Sequence, residues 1–420
     1  MAKGALKVGK EASHTNWRPH RPWTTLLLVI PGKQSIRSHR ARRWLFTLIT
    51  LGLTATVLEL GSKLFARKYL LYSRPAFGNV LMDHAVLHHV WIPSRLTTIN
   101  DRGVPYTVIT NSQGWNETYD VSREKPADIF RVFYVGDSNT QGVVMPEHKM
   151  VELVENGLNA EYQGKPAHFE VINTGTSSYS FVLYHLLIKT VLLDYSPDLI
   201  VLNIDMSDVA NDAGYRPYAV RDSAHEIVAV PPAMAPRYIM TAEGTARICN
   251  TFALPHWLTD HSDFLFLLDT TFRNARIKLS LRDLDRRANW LALEWPPETV
   301  ASINESMATR VSTLRLLKSH GVRAMVASVP HYEQFTGRQS PRPHQVLREV
   351  VEREGVPFLD SYAALKPKIV GSQVTGYYWK TDSTHFNIAG NRIWADAQLA
   401  FLLDPRNGLL PPLPGGGDQH

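Results

Sequence analysis

The chain has 420 residues, 44% hydrophobic and 20% charged, a balance that is typical of a globular protein and excludes a largely disordered one. Its one cysteine, Cys249, excludes an intrachain disulfide. The formal net charge of +6 is concentrated at the start, because residues 1–43 hold ten Lys or Arg and one acidic residue. A basic arm of this kind is compatible with nucleic-acid binding, and the next segment decides against that interpretation.

An apolar run follows the basic arm. Trp44 to Leu60 has about the minimum length that spans a bilayer core, so we predict a single-pass transmembrane anchor at residues 44–61 and no nucleic-acid partner. The excess of Lys and Arg before this run predicts a cytoplasmic N-terminus and a chain that is extracytoplasmic beyond about residue 65, in the cytoplasmic membrane of a bacterium. A cleavable signal peptide with an unusually long basic region, or a buried helix of a soluble protein, are the alternatives.

Residues 62–127 form a leader segment whose prolines and glycines punctuate short strands and turns. Within it, His84 and His88 would share one face if the segment were helical, which suggests a metal site. No third ligand is evident, and zinc sites need three or four. We therefore predict a hydrogen-bonded structural cluster here and no metal.

Strands and helices alternate through residues 128–405, which predicts an α/β domain with a parallel sheet and right-handed crossovers. The predicted strands are Phe130–Val135, Phe169–Asn173, Leu199–Ile204, Ala324–Val329 and Pro357–Leu359. The predicted helices are the stripe Val151, Val154 and Leu158, then Phe181–Leu193, the stripe from Val300 to Leu317 closed by Gly321, and the final helix Ala389–Leu403.

An insertion of nearly ninety residues, about 209–297, interrupts this alternation. It carries an apolar helical stripe at Phe264–Leu268, Phe272, Ile277 and Leu281, so we predict that it is mainly helical and that it forms a lid, a membrane contact, an oligomer interface or simply a packed helix. The Pro- and Gly-rich end, residues 406–420, is predicted to be disordered.

Two motifs carry chemistry. Gly136-Asp137-Ser138-Asn139 follows the first strand directly, and Asp382-Ser383-Thr384-His385 comes some 240 residues later. A serine hydroxyl is a weak nucleophile until an imidazole takes its proton, and a carboxylate must orient that imidazole. We therefore predict Ser138, His385 and Asp382 as a catalytic triad, with the last two presented by one loop or helical turn.

With these motifs the chain resembles the GDSL/SGNH hydrolase family from about Ile109 to Leu402, interrupted by the insertion. The resemblance implies a three-layer α/β/α flavodoxin-like fold with a five-stranded parallel sheet and no cofactor. It also implies that Ser138 is both the nucleophile and the first oxyanion donor, and that the Gly175 amide is the second. This chain differs from the family in the third of its sequence motifs, at the end of the third strand. Asp205 and Ser207 stand there where the family has Gly and Asn. Ser207, or Asn211 from the next turn, is then the third donor, or the hole lacks one.

The predicted function is that of a serine esterase or deacylase acting outside the cytoplasmic membrane. Its substrate would be an acyl ester, either an O-acetylated glycan or a lipid-like ester. Tyr377-Tyr378-Trp379, just before the second motif, could line a sugar-binding cleft or serve packing. Two alternatives stay open: an O-acyltransferase that modifies an envelope polysaccharide, and a non-catalytic envelope protein on the same fold.

Overall fold

The computed structural model describes residues 34–65, 80–101, 104–165, 167–231, 238–240, 246–248, 258, 261–265, 267–268 and 287–412. The chain divides into two compact units, Met1–Val57 and Leu58–His420. The predicted anchor lies on helix α1 (Gln34–Phe65), which begins earlier than the sequence indicated. Between His39 and Leu64 this helix is long and apolar enough to cross a membrane, and none of its most apolar window is buried.

Five parallel strands form the central sheet, as predicted. The strands are β5 (Ile129–Val135), β6 (His168–Asn173), β7 (Leu199–Asp205), β12 (Arg323–Val329) and β13 (Phe358–Leu359). Their order in the sheet is β13-β12-β7-β5-β6, so β5, the strand that precedes Ser138, lies inside the sheet between β7 and β6.

Helices cover both faces of the sheet, which confirms the predicted three-layer fold. Alternation along β5 shows why: Phe133 and Val135 lie in one apolar core, while Val132 and Tyr134 lie in the other. The first core is covered by α4 (Phe181–Thr190), α6 (Pro297–Ser319) and α8 (Arg342–Arg353). The second is covered by α3 (Met150–Glu161), α9 (Ser361–Ile369) and α11 (Ile388–Leu403), and the one-turn helix α10 (Val374–Tyr377) lies between the last two along the chain.

The leader contains two antiparallel pairs, β1 (Leu81–His84) with β2 (His88–Trp91) and β3 (Arg95–Asp101) with β4 (Val104–Thr110). His84 and His88 are therefore partners across a hairpin and do not share a helix face. His84 Nδ1 accepts the backbone amides of Val86 and Leu87 at 3.2 and 3.0 Å, so this histidine closes the hairpin turn.

The insertion begins with α5 (Asp208–Tyr215), which is followed by two short antiparallel pairs. These are β8 (Val220–Arg221) with β9 (Ile227–Ala229) and β10 (Tyr238–Met240) with β11 (Ala246–Ile248). The apolar residues Phe272, Ile277 and Leu281, as well as Cys249, lie outside the described residues.

The start of the predicted disordered tail is ordered. Leu409 is buried in the second apolar core, and Tyr162 Oη donates to the Pro411 carbonyl at 2.8 Å. Burial of this leucine fixes residues that composition alone assigned to disorder. The tail beyond residue 412 lies outside the described residues.

Candidate active site

Ser138 is the first residue of a one-turn helix, α2 (Ser138–Gln141), that follows β5 after Gly136 and Asp137. A side chain at position 136 would place its Cβ 2.0 Å from Thr140 Oγ1, so close packing against α2 requires glycine there. Asp137 caps the helix, because its Oδ1 accepts the Asn139 amide at 2.8 Å. This tight strand-to-helix turn leaves the Ser138 side chain partly exposed, while its neighbours are buried.

Asp382 and His385 lie on a strand, β15 (Asp382–Phe386), and not on the loop or helical turn that the sequence suggested. This strand pairs with β14 (Tyr378–Trp379), and the ladder shifts register between Tyr378 and Trp379. Such irregularities change the direction in which side chains point. The three-residue spacing therefore places both functional groups together even though the backbone is extended.

The structure brings the three predicted triad residues into one hydrogen-bonded row. Ser138 Oγ lies 2.7 Å from His385 Nε2, and His385 Nδ1 lies 2.6 Å from Asp382 Oδ2. Thr384 holds the aspartate, since its Oγ1 donates to Asp382 Oδ1 at 2.6 Å. A hydroxyl, an imidazole and a carboxylate in this order can transfer the serine proton to the imidazole.

The electrostatic surroundings favour a protonated His385 beside an ionised Asp382. Burial lowers the pKa of His385, but the hydrogen bond and charge of Asp382 outweigh it, so the net pKa is raised above 6.5. Burial raises the pKa of Asp382, and the hydrogen bond and charge of His385 outweigh this, so its net pKa is well below 3.8. The side chains of His385 and Asp382 are 21% and 15% exposed, so the row is reachable from solvent while partly shielded.

Three carboxylates lie close to one another near Ser138, whose hydroxyl is 3.3 Å from Asp137 Oδ2. Among the described residues, Asp137, Asp205 and Asp208 bring carboxylate oxygens within 4.8 Å of one another, and all three side chains are buried. Burial, followed by the charge of Asp205, raises the pKa of Asp137 to about 7. Each carboxylate accepts hydrogen bonds from protein donors, from Asn139, Ser207 and Tyr184 among others, so protein groups already satisfy the cluster.

Three of the predicted oxyanion donors, Gly175, Ser207 and Asn211, have other partners in this structure. The Gly175 amide donates to Asn173 Oδ1 at 3.0 Å, and a Cβ at position 175 would lie 2.2 Å from the Gln141 amide nitrogen. The glycine is therefore required by close packing against α2. The Ser207 amide donates to Asp205 Oδ1 at 2.7 Å, and the Ser207 hydroxyl accepts from Asn211 Nδ2 at 3.3 Å. The roles of Gly175, Ser207 and Asn211 in an oxyanion hole stay predictions.

The leader segment supports the site, which the sequence did not reveal. Trp91 Nε1 and Asn116 Nδ2 both donate to the Gly175 carbonyl, at 2.9 and 2.8 Å. His89 Nε2 lies 2.7 Å from the Ser177 carbonyl oxygen. Side chains of the leader thus hold the loop after β6, and only the fold brings these distant segments together.

The aromatic triplet before the second motif is divided in its roles. Tyr378 is buried and its hydroxyl donates to the Pro330 carbonyl at 2.8 Å, so this residue serves packing. Trp379 is half-buried, with its Nε1 donating to the Val143 carbonyl at 3.1 Å. The hydrogen bond orients the indole ring between the second motif and the loop after α2.

No family model and no curated protein matches the chain. Among solved structures, the chain is similar to the acetylxylan esterase Axe2 from Geobacillus stearothermophilus in a catalytic mutant form, with 13% identity, a TM-score of 0.39, and coverage of 67% of this chain and 97% of that one. It is also similar to LAE5, an α/β hydrolase enzyme from the metagenome of Lake Arreo in Spain. The identity is 15%, the TM-score is 0.36, and the match covers 67% of this chain and 96% of that one. A third similar structure is CEX, a two-domain esterase active on acetylated mannans. The identity is 14%, the TM-score is 0.38, and the match covers 68% of this chain and 52% of that one.

Proposed function

We propose that this chain is a serine esterase that cleaves acyl esters through Ser138, His385 and Asp382. The observation that carries the proposal is the row of short contacts from Ser138 Oγ to His385 Nε2 and from His385 Nδ1 to Asp382. Its residues come from two segments 247 positions apart, and they meet at the carboxyl edge of the parallel sheet, where such folds bind ligands.

In the proposed reaction, Ser138 Oγ attacks the ester carbonyl carbon while His385 Nε2 takes the serine proton. The tetrahedral intermediate collapses, the proton passes to the leaving alcohol, and an acyl-serine remains. His385 then removes a proton from water, water attacks the acyl carbon, and the carboxylic acid leaves as the serine regains its proton. Asp382 stabilises the imidazolium at both stages.

A fluorophosphonate reagent tests this proposal without knowledge of the substrate. We expect the full-length chain, solubilised in detergent, to be labelled covalently at Ser138 and at no other serine, as peptide mass spectrometry would show. The control is Ser122→Ala, which removes an exposed serine outside the site and should be labelled like the unchanged chain. An unlabelled Ser138 would contradict the proposal and favour the non-catalytic alternative.

The proposed place of action is outside the cytoplasmic membrane, with an acyl ester on a glycan or a lipid-like molecule as substrate. The support is the long apolar part of helix α1 and the basic residues of positions 1–43 that precede this apolar part. An alkaline phosphatase reporter fused after residue 75 should be active, because this enzyme requires an oxidising extracytoplasmic compartment. A fusion within the basic arm is the control and should be inactive. An inactive fusion after residue 75 would contradict the topology, and loss of an N-terminal tag would identify a cleaved signal.

The acyl-serine can lose its acyl group to water or to an alcohol, and the second route would make the chain an O-acyltransferase. The two routes are separated by adding an oligosaccharide acceptor to the reaction with a short acyl ester. Acylated acceptor detected by mass spectrometry, formed faster than free acid, would establish transfer as the main reaction.

A further inference from the structure

Asp205, at the carboxyl end of β7, is surrounded by donors from three parts of the chain. His331 Nε2 lies 3.1 Å from each of its carboxylate oxygens, Asn139 Nδ2 donates to Oδ2 at 2.9 Å, and the Ser207 amide donates to Oδ1 at 2.7 Å. Asp205 and His331 are 2% and 4% exposed, so water does not supply these bonds. The pair forms because Val329, two residues before His331, is the register partner of Asp205.

The orientation of His331 is fixed from its other side. Its side chain accepts the backbone amide of Gln334, and the Gln334 Oε1 accepts the His331 amide at 2.9 Å, so the two residues cap helix α7 (Tyr332–Phe335) reciprocally. A ring nitrogen that accepts an amide carries no proton. The proton therefore lies on Nε2 and is donated to Asp205, whose two oxygens both act as acceptors, as those of an ionised carboxylate do.

Asp205 is linked to the nucleophile through the residue that follows it. Asn139, the residue after Ser138, donates its backbone amide to Asp137 and its side-chain amide to Asp205. Two carboxylates therefore hold the residue next to Ser138 in α2. Loss of the Asp205 carboxylate would free the Asn139 side chain and loosen the turn that points Ser138 Oγ at His385.

Asp205 also acts on His385 by charge. Burial lowers the pKa of His385, and the groups that raise it are Asp382 on its own strand, then Asp137 before α2 and Asp205 at the end of β7. The ring of His331 faces the same region. Two carboxylates besides Asp382 therefore favour the imidazolium that forms when His385 takes a proton.

We propose that Asp205 and His331 are a positioning pair that holds the Ser138 turn in place through Asn139 and gives the His385 imidazolium a further negative charge. Asp205 stands where the third motif of the resembling family has glycine. The pair that it forms with His331 would act in the proposed esterase reaction. This inference rests on the proposed serine esterase function.

The pH dependence of fluorophosphonate labelling at Ser138 tests the pair, because the labelling rate needs neutral His385 and falls as this group gains a proton. In the full-length chain, Asp205→Asn keeps the shape of the side chain and removes its charge. We expect its acid midpoint to move down by about half to one pH unit and its plateau rate to fall about tenfold. His331→Ala should lower the plateau about tenfold, and His331→Gln, whose amide can still donate to Asp205, should recover most of it.

Asp212→Asn is the matched control. Asp212 is a fully buried carboxylate on α5 that accepts from Ser180, Val182, Ser306 and Arg216, so its loss reports the cost of removing a buried charge elsewhere. It should lower the melting temperature and leave the acid midpoint unchanged. If Asp205→Asn behaves like this control, or if His331→Gln is as slow as His331→Ala, the positioning role is overturned and the pair is structural. Failure of the unchanged chain to be labelled would instead remove the proposed function, and this inference with it.

Discussion

Ser138→Ala and His385→Ala should each abolish turnover of a short acyl ester, with a loss of at least about 10⁴-fold in kcat. The loss is large for each single change because the residues act as one unit, so removing either leaves the other without a partner. Ser138 Oγ and His385 Nε2 meet at 2.7 Å although their residues are 247 positions apart, and Asp382 holds the imidazole at its other nitrogen. Initial rates with a chromogenic acetyl ester would measure the effect.

The controls separate chemistry from folding. His320→Ala removes an exposed histidine at the end of α6 and should leave the rate unchanged. Ser138→Ala should leave the thermal unfolding of the chain unchanged, since this side chain is small and partly exposed. His385→Ala should still unfold cooperatively but at a lower temperature, because it leaves the mostly buried Asp382 carboxylate without the imidazole that lowers its pKa. Full activity in either variant would show that the reaction, if any, occurs elsewhere.

Asp382→Asn should lower kcat by about 10³- to 10⁴-fold and also change its pH dependence. An amide at position 382 can donate to His385 Nδ1, which would leave the proton on Nε2 and stop that nitrogen from accepting the serine proton. The carboxylate raises the pKa of His385, so its loss lowers that pKa. Because the neutral imidazole is the active form, the acid limb of the rate profile should move to lower pH, by about one unit.

Asp404→Asn provides the comparison for this change. Asp404 is ion-paired with Arg406 at the surface, so the same chemical substitution there removes a paired carboxylate without touching the site. Its rate and pH profile should equal those of the unchanged chain. An acid limb that stays in place in Asp382→Asn would show that Asp382 does not interact with the titrating group.

The sequence by itself determined the sheet and the three residues of the row. The strands are short apolar runs in the sequence. The strands β5, β6, β7, β12 and β13 lie where these runs predict. Ser138, Asp382 and His385 could be found because each stands in a compact motif next to a strand or near the final helix. Local pattern was sufficient for both, since strand formation and motif spacing depend on neighbouring residues.

The surroundings of the row were decided only by the tertiary structure. His331 and Asp205 are 126 residues apart and meet because β12 lies beside β7, an order that no local pattern encodes. The three-residue spacing of Asp382 and His385 predicted a loop or a helical turn. The structure has a strand there, because β15 pairs with β14 in an irregular register that the periodicity of the sequence does not show. The hydrogen bonds from Trp91 and Asn116 to Gly175 likewise join segments that are distant in sequence, so the leader became part of the site only when the chain folded.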